Sequence, residues 1–135
     1  MKRYMLDTDI SSYLIQGDHP EVTQRFTDSF PYVCISMITA AELQYGALKR
    51  NNLALTRKVQ AFCNLVQCIE WNTDAAMAYA KLRQKIETQG NIIGSMDMLI
   101  AASAIAEDVI LVTNNTAHFS RISGLKIENW NSQIP

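Results

Sequence analysis

The sequence lacks the features that would indicate a zinc site, a disulfide framework or a membrane span. Its three cysteines, Cys34, Cys63 and Cys68, are an odd number and have neither zinc-ligand nor disulfide-scaffold spacing. Each lies in an apolar run, so we expect buried, reduced thiols in a reducing compartment. The longest apolar window, residues 98–106, is far shorter than the roughly 20 residues that a bilayer requires. We therefore expect no association with a membrane.

The sequence also lacks an excess of charge of either sign. Its formal net charge is −1, with 48% apolar and 19% charged residues, which is ordinary for a globular protein and argues against disorder. With so little net charge, binding to a nucleic acid would require a local basic patch. Near the start, Lys2 and Arg3 precede an apolar run of only three residues, too short for a signal peptide. We expect a cytoplasmic protein.

Two nucleotide-binding motifs are absent as well. No G-x-G-x-x-G follows the first predicted strand, and no G-x-x-x-x-G-K-[ST] occurs anywhere, which argues against a nucleotide-binding α/β module. A phosphoacceptor receiver domain would need an aspartate after the third strand, where the chain has Glu70, Trp71 and Asn72. These absences weaken both alternatives.

Apolar periodicity predicts strands and helices that alternate along the chain. The predicted strands are 4–6, 32–35, 68–71, 109–113 and 126–128, and the predicted helices are 10–15, 21–30, 36 or 39 to 49, 53–66, 75–88 and 95–106. Such alternation predicts a parallel sheet covered on both faces. No repeat or linker interrupts it, so we expect one domain, residues 1–135.

The helix that begins near Ser95 is the most informative element. Between residues 98 and 106 only Ser103 is polar, and a helix that is apolar all round is buried. Ser95 is the predicted N-cap, and Asp97 lies in the first turn, where the positive end of the helix favours a carboxylate. We expect Asp97 to lie at that end of the core. A first-turn acid alone is also a common structural feature.

Other polar residues fall at the same edge of the predicted sheet. Asp7 follows the first strand, Glu42 lies in the helix after the second, and residues 113–115 follow the fourth. In open α/β sheets, functional residues collect beyond the carboxyl ends of the strands. Asp7, Glu42 and Asp97 are therefore the candidate site.

Each of these residues also has a structural interpretation. Asp7 or Asp9 would suit the cap of the first helix, and Thr39 to Glu42 matches a capping box. Residues 113–115 would suit a turn, because asparagine tolerates left-handed backbone conformations.

Three carboxylates at one place would need a cation. Two carboxylates about 4 Å apart repel by up to about 4 kcal/mol at an effective dielectric constant of 20. Oxygen donors without nearby histidine or cysteine suit Mg²⁺ or Mn²⁺ rather than zinc. Such ions activate water and stabilise charge on a phosphoryl group, so the expected chemistry is phosphodiester hydrolysis.

Four segments together resemble the PIN domain, and within it the VapC-type toxins of bacterial toxin-antitoxin pairs. They are MLDTDI at 5–10, ITAAELQYG at 38–46, IGSMDMLIAA at 93–102, and LVTNN at 111–115 with His118 and Phe119. The resemblance implies a three-layer α/β/α fold with a central, mostly parallel sheet. It also implies a metal-dependent endoribonuclease whose catalytic and metal-binding acids are those of the candidate site. We expect Thr8, Thr113 and Asn115 to support that site.

The resemblance further implies a cofactor and partners. These are Mg²⁺, for which Mn²⁺ would substitute, an RNA substrate such as tRNA, a small antitoxin that blocks the site, and a homodimer. Many relatives carry an acid where this chain has Asn115, which favours one metal ion over two. The alternative is a catalytically inactive PIN-like module that binds RNA or protein.

The remaining charged residues have mainly structural interpretations. His19 and His118 show no spacing that pairs them with an acid or thiol, so we expect neither to be a ligand. Lys49 and Arg50 end a predicted helix, where cations are favoured in any case, although contact with RNA or antitoxin is a weaker alternative. Arg83 is a lesser candidate for reaching the site.

Overall fold

Residues 2–131 are described by the computed structural model. The elements are β1 Tyr4–Leu6, α1 Thr8–Gln16, α2 Pro20–Ser29, β2 Val33–Ser36, α3 Met37–Lys49, α4 Leu53–Leu65, β3 Gln67–Ile69, α5 Thr73–Thr88, α6 Ser95–Glu107, β4 Ile110–Val112, α7 Thr116–Phe119 and β5 Ile127–Glu128. The predicted domain of residues 1–135 also includes Met1 and residues 132–135, which lie outside the described residues.

The five strands form one sheet in the order β3-β2-β1-β4-β5, and all four strand pairs are parallel. β1 is central: Leu6 is paired with Ile35 of β2 on one side and with Val112 of β4 on the other. The carboxyl ends of these three strands therefore lie side by side. The residues that follow them start at the same edge of the sheet, as the sequence predicts.

Alternating side chains of the central strands point into two separate cores. Met5, Cys34 and Leu111 pack with the apolar residues of α5 and α6 on one face. Leu6, Ile35 and Val112 pack with those of α1 to α4 on the other. This alternation is the period of two that a strand imposes on its side chains. The predicted three-layer α/β/α fold is confirmed.

The helix α6 is buried as predicted, but its N-cap is different. Ile100 to Ala104 are buried along its length. The N-cap is Gly94, whose carbonyl accepts from the Met98 N–H at 3.0 Å, and no side chain caps this end. The prediction that Ser95 caps the helix is wrong. Glycine is also acceptable as an N-cap, and Ser95 lies one position inside the helix.

The cap of α3 decides between the two predicted possibilities. Ser36 is the N-cap, and its hydroxyl accepts from the Ile38 N–H at 3.1 Å. Thr39 is buried inside the helix, so Thr39 and Glu42 do not form a capping box. That structural interpretation of Glu42 is wrong. The side chain of Glu42 is therefore available for contacts beyond its own helix.

The chain reverses between α3 and α4. The two helices pack against each other. Asn51 takes a positive φ of 51° in the turn, and the Asn52 side chain caps α4 by accepting from the Leu55 N–H at 3.1 Å. Asparagine adopts this backbone region more readily than most residues. Of the described residues, no helix is long and apolar enough to cross a membrane.

Candidate active site

Asp7 is fixed by backbone contacts at the carboxyl end of the central strand. Its N–H donates to the Val112 carbonyl at 3.0 Å, and its Oδ1 accepts from the Ile10 N–H at 2.9 Å as the N-cap of α1. The predicted capping interpretation of Asp7 is thus correct. It does not compete with a role at the site, because a carboxylate offers two oxygens with several lone pairs.

The carboxyl group of Asp7 lies in an unfavourable place for a charge. Burial raises the pKa of Asp7 to about 6, against the lowering effect of hydrogen bonds from the Ile10 N–H and the Thr113 side chain. The charges of Asp9 and Asp97 raise the pKa further. A shift of this size, caused by burial plus neighbouring acids, is typical of functional sites. The ionised group would gain from a nearby cation.

Thr113 links Asp7 to the loop after β4. Its side chain is fully buried, donates to Asp7 and accepts from the Asn115 N–H at 3.0 Å. The backbone of Asn115 thereby holds the threonine that orients Asp7. The side chain of Asn115 makes no capping bond to α7, although Asn115 is the N-cap.

Glu42 contacts the residue after Asp7 across the gap between α1 and α3. Thr8 Oγ1 donates to Glu42 Oε1 at 2.5 Å and lies 3.4 Å from Thr39 Oγ1. A cleft of about 110 Å³ opens beside this pair, and the polar residues that line it include Ser12 and Arg50. The structure therefore brings Glu42 to the same side of the sheet as Asp7, through Thr8.

Asp97 is paired with a histidine from α7. His118 Nε2 lies 3.3 Å from Asp97 Oδ2. Burial raises the pKa of Asp97, which the charge of His118 lowers and the charge of Asp9 raises. No sequence spacing pairs His118 with an acid, whereas the fold brings it to Asp97. The partner was not visible in the sequence because the two residues are far apart in the chain and the four-residue helix α7 was not predicted.

Asp9 is an acid whose position the sequence suggested only as a helix cap. It is exposed in the first turn of α1, and its charge acts on both Asp7 and Asp97. The three aspartates thus form one electrostatic neighbourhood. The negative charge of Asp9 disfavours ionisation of Asp7 and Asp97.

Two other candidates lie apart from these acids. His19 Nδ1 is 2.7 Å from Oδ1 of Asp18, its neighbour in the chain. Arg83 donates to Glu87 at 3.0 Å and to Tyr79 at 2.8 Å on its own helix. The lesser possibility that Arg83 reaches the site is not supported by these contacts.

The donor chemistry around Asp7 fits a hard divalent cation. Asp7, Glu42 and Asp97 offer oxygen ligands only, which is the preference of Mg²⁺ and Mn²⁺. Among residues 2–131, no group of three or more His, Cys, Asp or Glu side chains is arranged closely enough to hold a metal ion. Thr8 contacts Glu42, and His118 contacts Asp97. The acids share a sheet edge without converging on one point.

Comparison with known proteins agrees with the fold. The model of the PIN domain family matches residues 4–125. Ribonuclease VapC2 of Haemophilus influenzae strain KW20 is 36% identical over 134 residues, covering 96% of this chain and 99% of that protein. The tRNA(fMet)-specific endonuclease VapC of Shigella flexneri is 34% identical with the same coverage.

Solved structures give the same result. VapBC2 from Rickettsia felis, bound to a DNA fragment from its promoter, matches with a TM-score of 0.88 and 37% identity, covering 94% of this chain and 98% of that one. DNA-bound VapBC from Salmonella typhimurium matches with a TM-score of 0.88, 34% identity and coverage of 96% and 99%. The chain belongs to the PIN domain family, in its VapC branch.

Proposed function

We propose that this protein is a magnesium-dependent endoribonuclease that acts in the cytoplasm as the toxin of a toxin-antitoxin pair. One observation carries the proposal: a buried aspartate with a raised pKa, Asp7, lies beside Asp97 at the carboxyl edge of a VapC-type sheet. A carboxyl group whose ionised form is disfavoured by burial is expected to have a function that depends on its charge.

Asp7, Glu42 and Asp97 are the residues that would hold the ion. Bound Mg²⁺ supplies activation of water and stabilisation of charge on the scissile phosphate. The protein supplies orientation, because Thr113 holds the Asp7 carboxyl group and Thr8 holds that of Glu42. The side chain of Asn115 lies on the same loop as Thr113, with an amide that suits a phosphate oxygen or a water molecule.

A basic surface beside the acids supports a polyanionic substrate. Residues 37–66, which form the α3–α4 hairpin, contain four cations and one acid, whereas the rest of the chain contains eight cations and twelve acids. Lys49, Arg50, Arg57 and Lys58 are exposed. Among the described residues, none of these four is in an ion pair. A local excess of +3 is the patch that a chain of net charge −1 requires to bind RNA.

Arg50 joins this basic surface to the acids. It lines the same cleft as Thr8 and Glu42, so the cleft holds one cation and one of the candidate ligands. A phosphate held by Arg50 would bring the RNA backbone alongside the carboxylates. This arrangement favours cleavage of RNA over an inactive binding module, in which the acids would only repel the phosphates.

The proposed substrate and protein partners are based on those named for the relatives. The Shigella flexneri relative is named for its action on tRNA(fMet), so tRNA is the RNA that we propose for this chain. The Rickettsia felis and Salmonella typhimurium structures are VapBC complexes bound to DNA. We propose a small antitoxin that places a basic side chain among the three acids, and a homodimer within the toxin-antitoxin complex.

The experiment uses purified protein, total tRNA, and sequencing of the new RNA ends. We expect cuts at defined positions with Mg²⁺ or Mn²⁺, loss of cutting on chelation, and recovery when the ion returns. Asp7→Asn is the matched control, since asparagine is as good an N-cap as aspartate and keeps the cap of α1. If wild type and Asp7→Asn give the same RNA ends under all these conditions, the chain is an inactive module.

A further inference from the structure

The short helix α7 holds a histidine in a defined place. Its first turn is closed by the Asn115 carbonyl, which accepts from the N–H groups of both His118 and Phe119 at 3.2 Å. Phe119 is 1% exposed and packs in the core formed with α5 and α6. The His118 ring stands edge-on to the Phe119 ring at 5.6 Å and 88°. Burial of Phe119 therefore fixes the direction in which His118 points.

The His118 ring points toward one carboxylate oxygen of Asp97. His118 Nε2 lies 3.3 Å from Asp97 Oδ2, and the two side chains are 23% and 39% exposed. Asp97 is in the first turn of α6, whose N-terminus no side chain caps. The contact thus joins the end of a buried helix to the loop beyond β4, two elements that meet only in the fold.

We propose that His118 is a positioning residue for Asp97: its Nε2–H holds Oδ2, which leaves Oδ1 in a constant orientation for a divalent cation. The terminal torsion of an aspartate is broad, so an unpartnered carboxylate samples many orientations. A hydrogen-bond donor on the oxygen that does not bind the ion restricts rotation about this torsion. Such donors commonly tune the affinity of a site for its metal ion. The inference rests on the proposed function, because it assumes that the acids hold a metal ion.

A purely structural ion pair would behave differently. Pairs this exposed contribute little to stability, and the loss of a purely structural pair would leave cation affinity unchanged. A positioning residue changes the affinity of the cation for the site even where the unfolding temperature is unchanged. Cation affinity is therefore the readout that separates these two roles.

The test compares three single variants. His118→Leu removes the donor but fills similar space, and His118→Gln places an amide N–H near the position of Nε2. His19→Leu is the matched control, since His19 is the other histidine of the chain and pairs with Asp18 instead. Mn²⁺ affinity is measured by calorimetry without RNA, and kcat and KM for tRNA cleavage are measured at several Mn²⁺ concentrations.

We expect His118→Leu to weaken Mn²⁺ binding roughly 10- to 100-fold, the usual range for loss of such a partner. Cleavage should recover at high Mn²⁺, with KM for tRNA unchanged throughout. His118→Gln should retain most of the affinity, and His19→Leu should match wild type. Wild-type Mn²⁺ affinity in folded His118→Leu overturns the inference.

A double variant tests whether the effect passes through Asp97. In an Asp97→Asn background, His118→Leu should weaken Mn²⁺ binding no further, because the oxygen to be positioned has changed. A further loss as large as in wild type overturns the inference, since His118 would then act on the ion directly. Calorimetry also separates this test from the proposed function. If the wild-type protein binds Mn²⁺ but leaves tRNA intact, the proposed nuclease activity is contradicted, while the effect of His118 on Mn²⁺ affinity can still be measured.

Discussion

Thr8 Oγ1 donates a 2.5 Å hydrogen bond to Glu42 Oε1, joining the start of α1 to α3 across 34 residues of sequence. Because Thr8 follows Asp7 directly, this bond sets the distance between two of the candidate ligands. The contact is possible because α1 follows the central strand β1 and α3 follows its neighbour β2, so the two helices begin at the same edge of the sheet.

The first prediction tests this bond. Thr8→Val keeps the shape of the side chain but removes the donor, so Glu42 loses its partner and becomes free to rotate. We expect tRNA cleavage to fall about 10-fold or more, a loss typical of residues that orient a metal ligand. Thr8→Ser restores the hydroxyl and should recover most of the rate. Equal rates for Thr8→Val and wild type would mean that the bond does not orient Glu42.

The second prediction concerns the stability of the metal-free protein. Since the folded-state pKa of Asp7 is about 6 and the reference value is 3.8, protonation of Asp7 stabilises the fold. That contribution is fully present below 3.8 and is lost as the pH rises through about 6. Asp7→Asn should therefore raise the free energy of unfolding near pH 8 by up to about 3 kcal/mol, and by much less near pH 4.

Chemical unfolding in the presence of a chelator measures this difference. Asparagine is the correct substitution because it retains the N-cap bond to Ile10, whereas alanine would lose about 1 kcal/mol of cap stability. A variant no more stable than wild type at high pH would show that the buried charge is already compensated.

The third prediction is that protons and the metal ion compete for Asp7. A ligand must be deprotonated to bind, so affinity follows the ionised fraction. With the pKa of Asp7 at about 6, Mn²⁺ affinity should rise between about pH 5 and pH 7 and level off above. Calorimetry across this range is the measurement. The rise should be much smaller in Asp7→Asn, and an equally steep rise there would assign it to another group.

The sheet edge was predictable from the sequence because its causes are local. Strand runs such as residues 4–6 are short and apolar, and Asp7 follows such a run directly, so its place at the carboxyl edge follows from the parallel sheet. The three-layer fold and the family resemblance are confirmed. The assignment of Asp7, Glu42 and Asp97 as ligands stays a prediction.

The contacts between distant segments were not predictable in this way. Asp97 and His118 meet because α7 is anchored by Phe119, and a four-residue helix has too few residues to show a helical period. The bond from Thr8 to Glu42 likewise depends on how α1 packs beside α3. The sequence pattern also allowed either Ser36 or Thr39 as the N-cap of α3. Ser36 is the cap because β2 extends to that residue and the helix starts directly after it.

The fourth prediction tests Arg50, the cation that lines the cleft beside Glu42. Arg50→Gln removes one cation from the α3–α4 hairpin, so KM for tRNA should rise severalfold while kcat changes little. The slope of log affinity against log salt should fall by about 0.7 for one lost contact to single-stranded RNA. Arg83→Gln is the control, because Arg83 is exposed on α5 and already pairs with Glu87. Equal effects of the two variants would indicate non-specific attraction only.

The last prediction concerns Asn115, the N-cap of α7. Its N–H donates to Thr113 Oγ1 at 3.0 Å, and this backbone bond remains whatever side chain is present. Substitutions at this position therefore change the exposed amide without directly disturbing the threonine that orients Asp7. The amide oxygen can ligate a hard ion, and its NH₂ group can donate to phosphate.

Asn115→Asp should strengthen Mg²⁺ binding, since a fourth carboxylate adds negative charge to the site, and it should not abolish cleavage. Asn115→Ala should lower the single-turnover rate, but by less than Asp7→Asn, because it removes a neutral contact and no charge. Asn114→Ala is the neighbouring control, as its side chain contacts Tyr13 at 3.4 Å. If Asn115→Ala matches wild type in both Mg²⁺ affinity and rate, Asn115 serves only to begin α7 and hold Thr113.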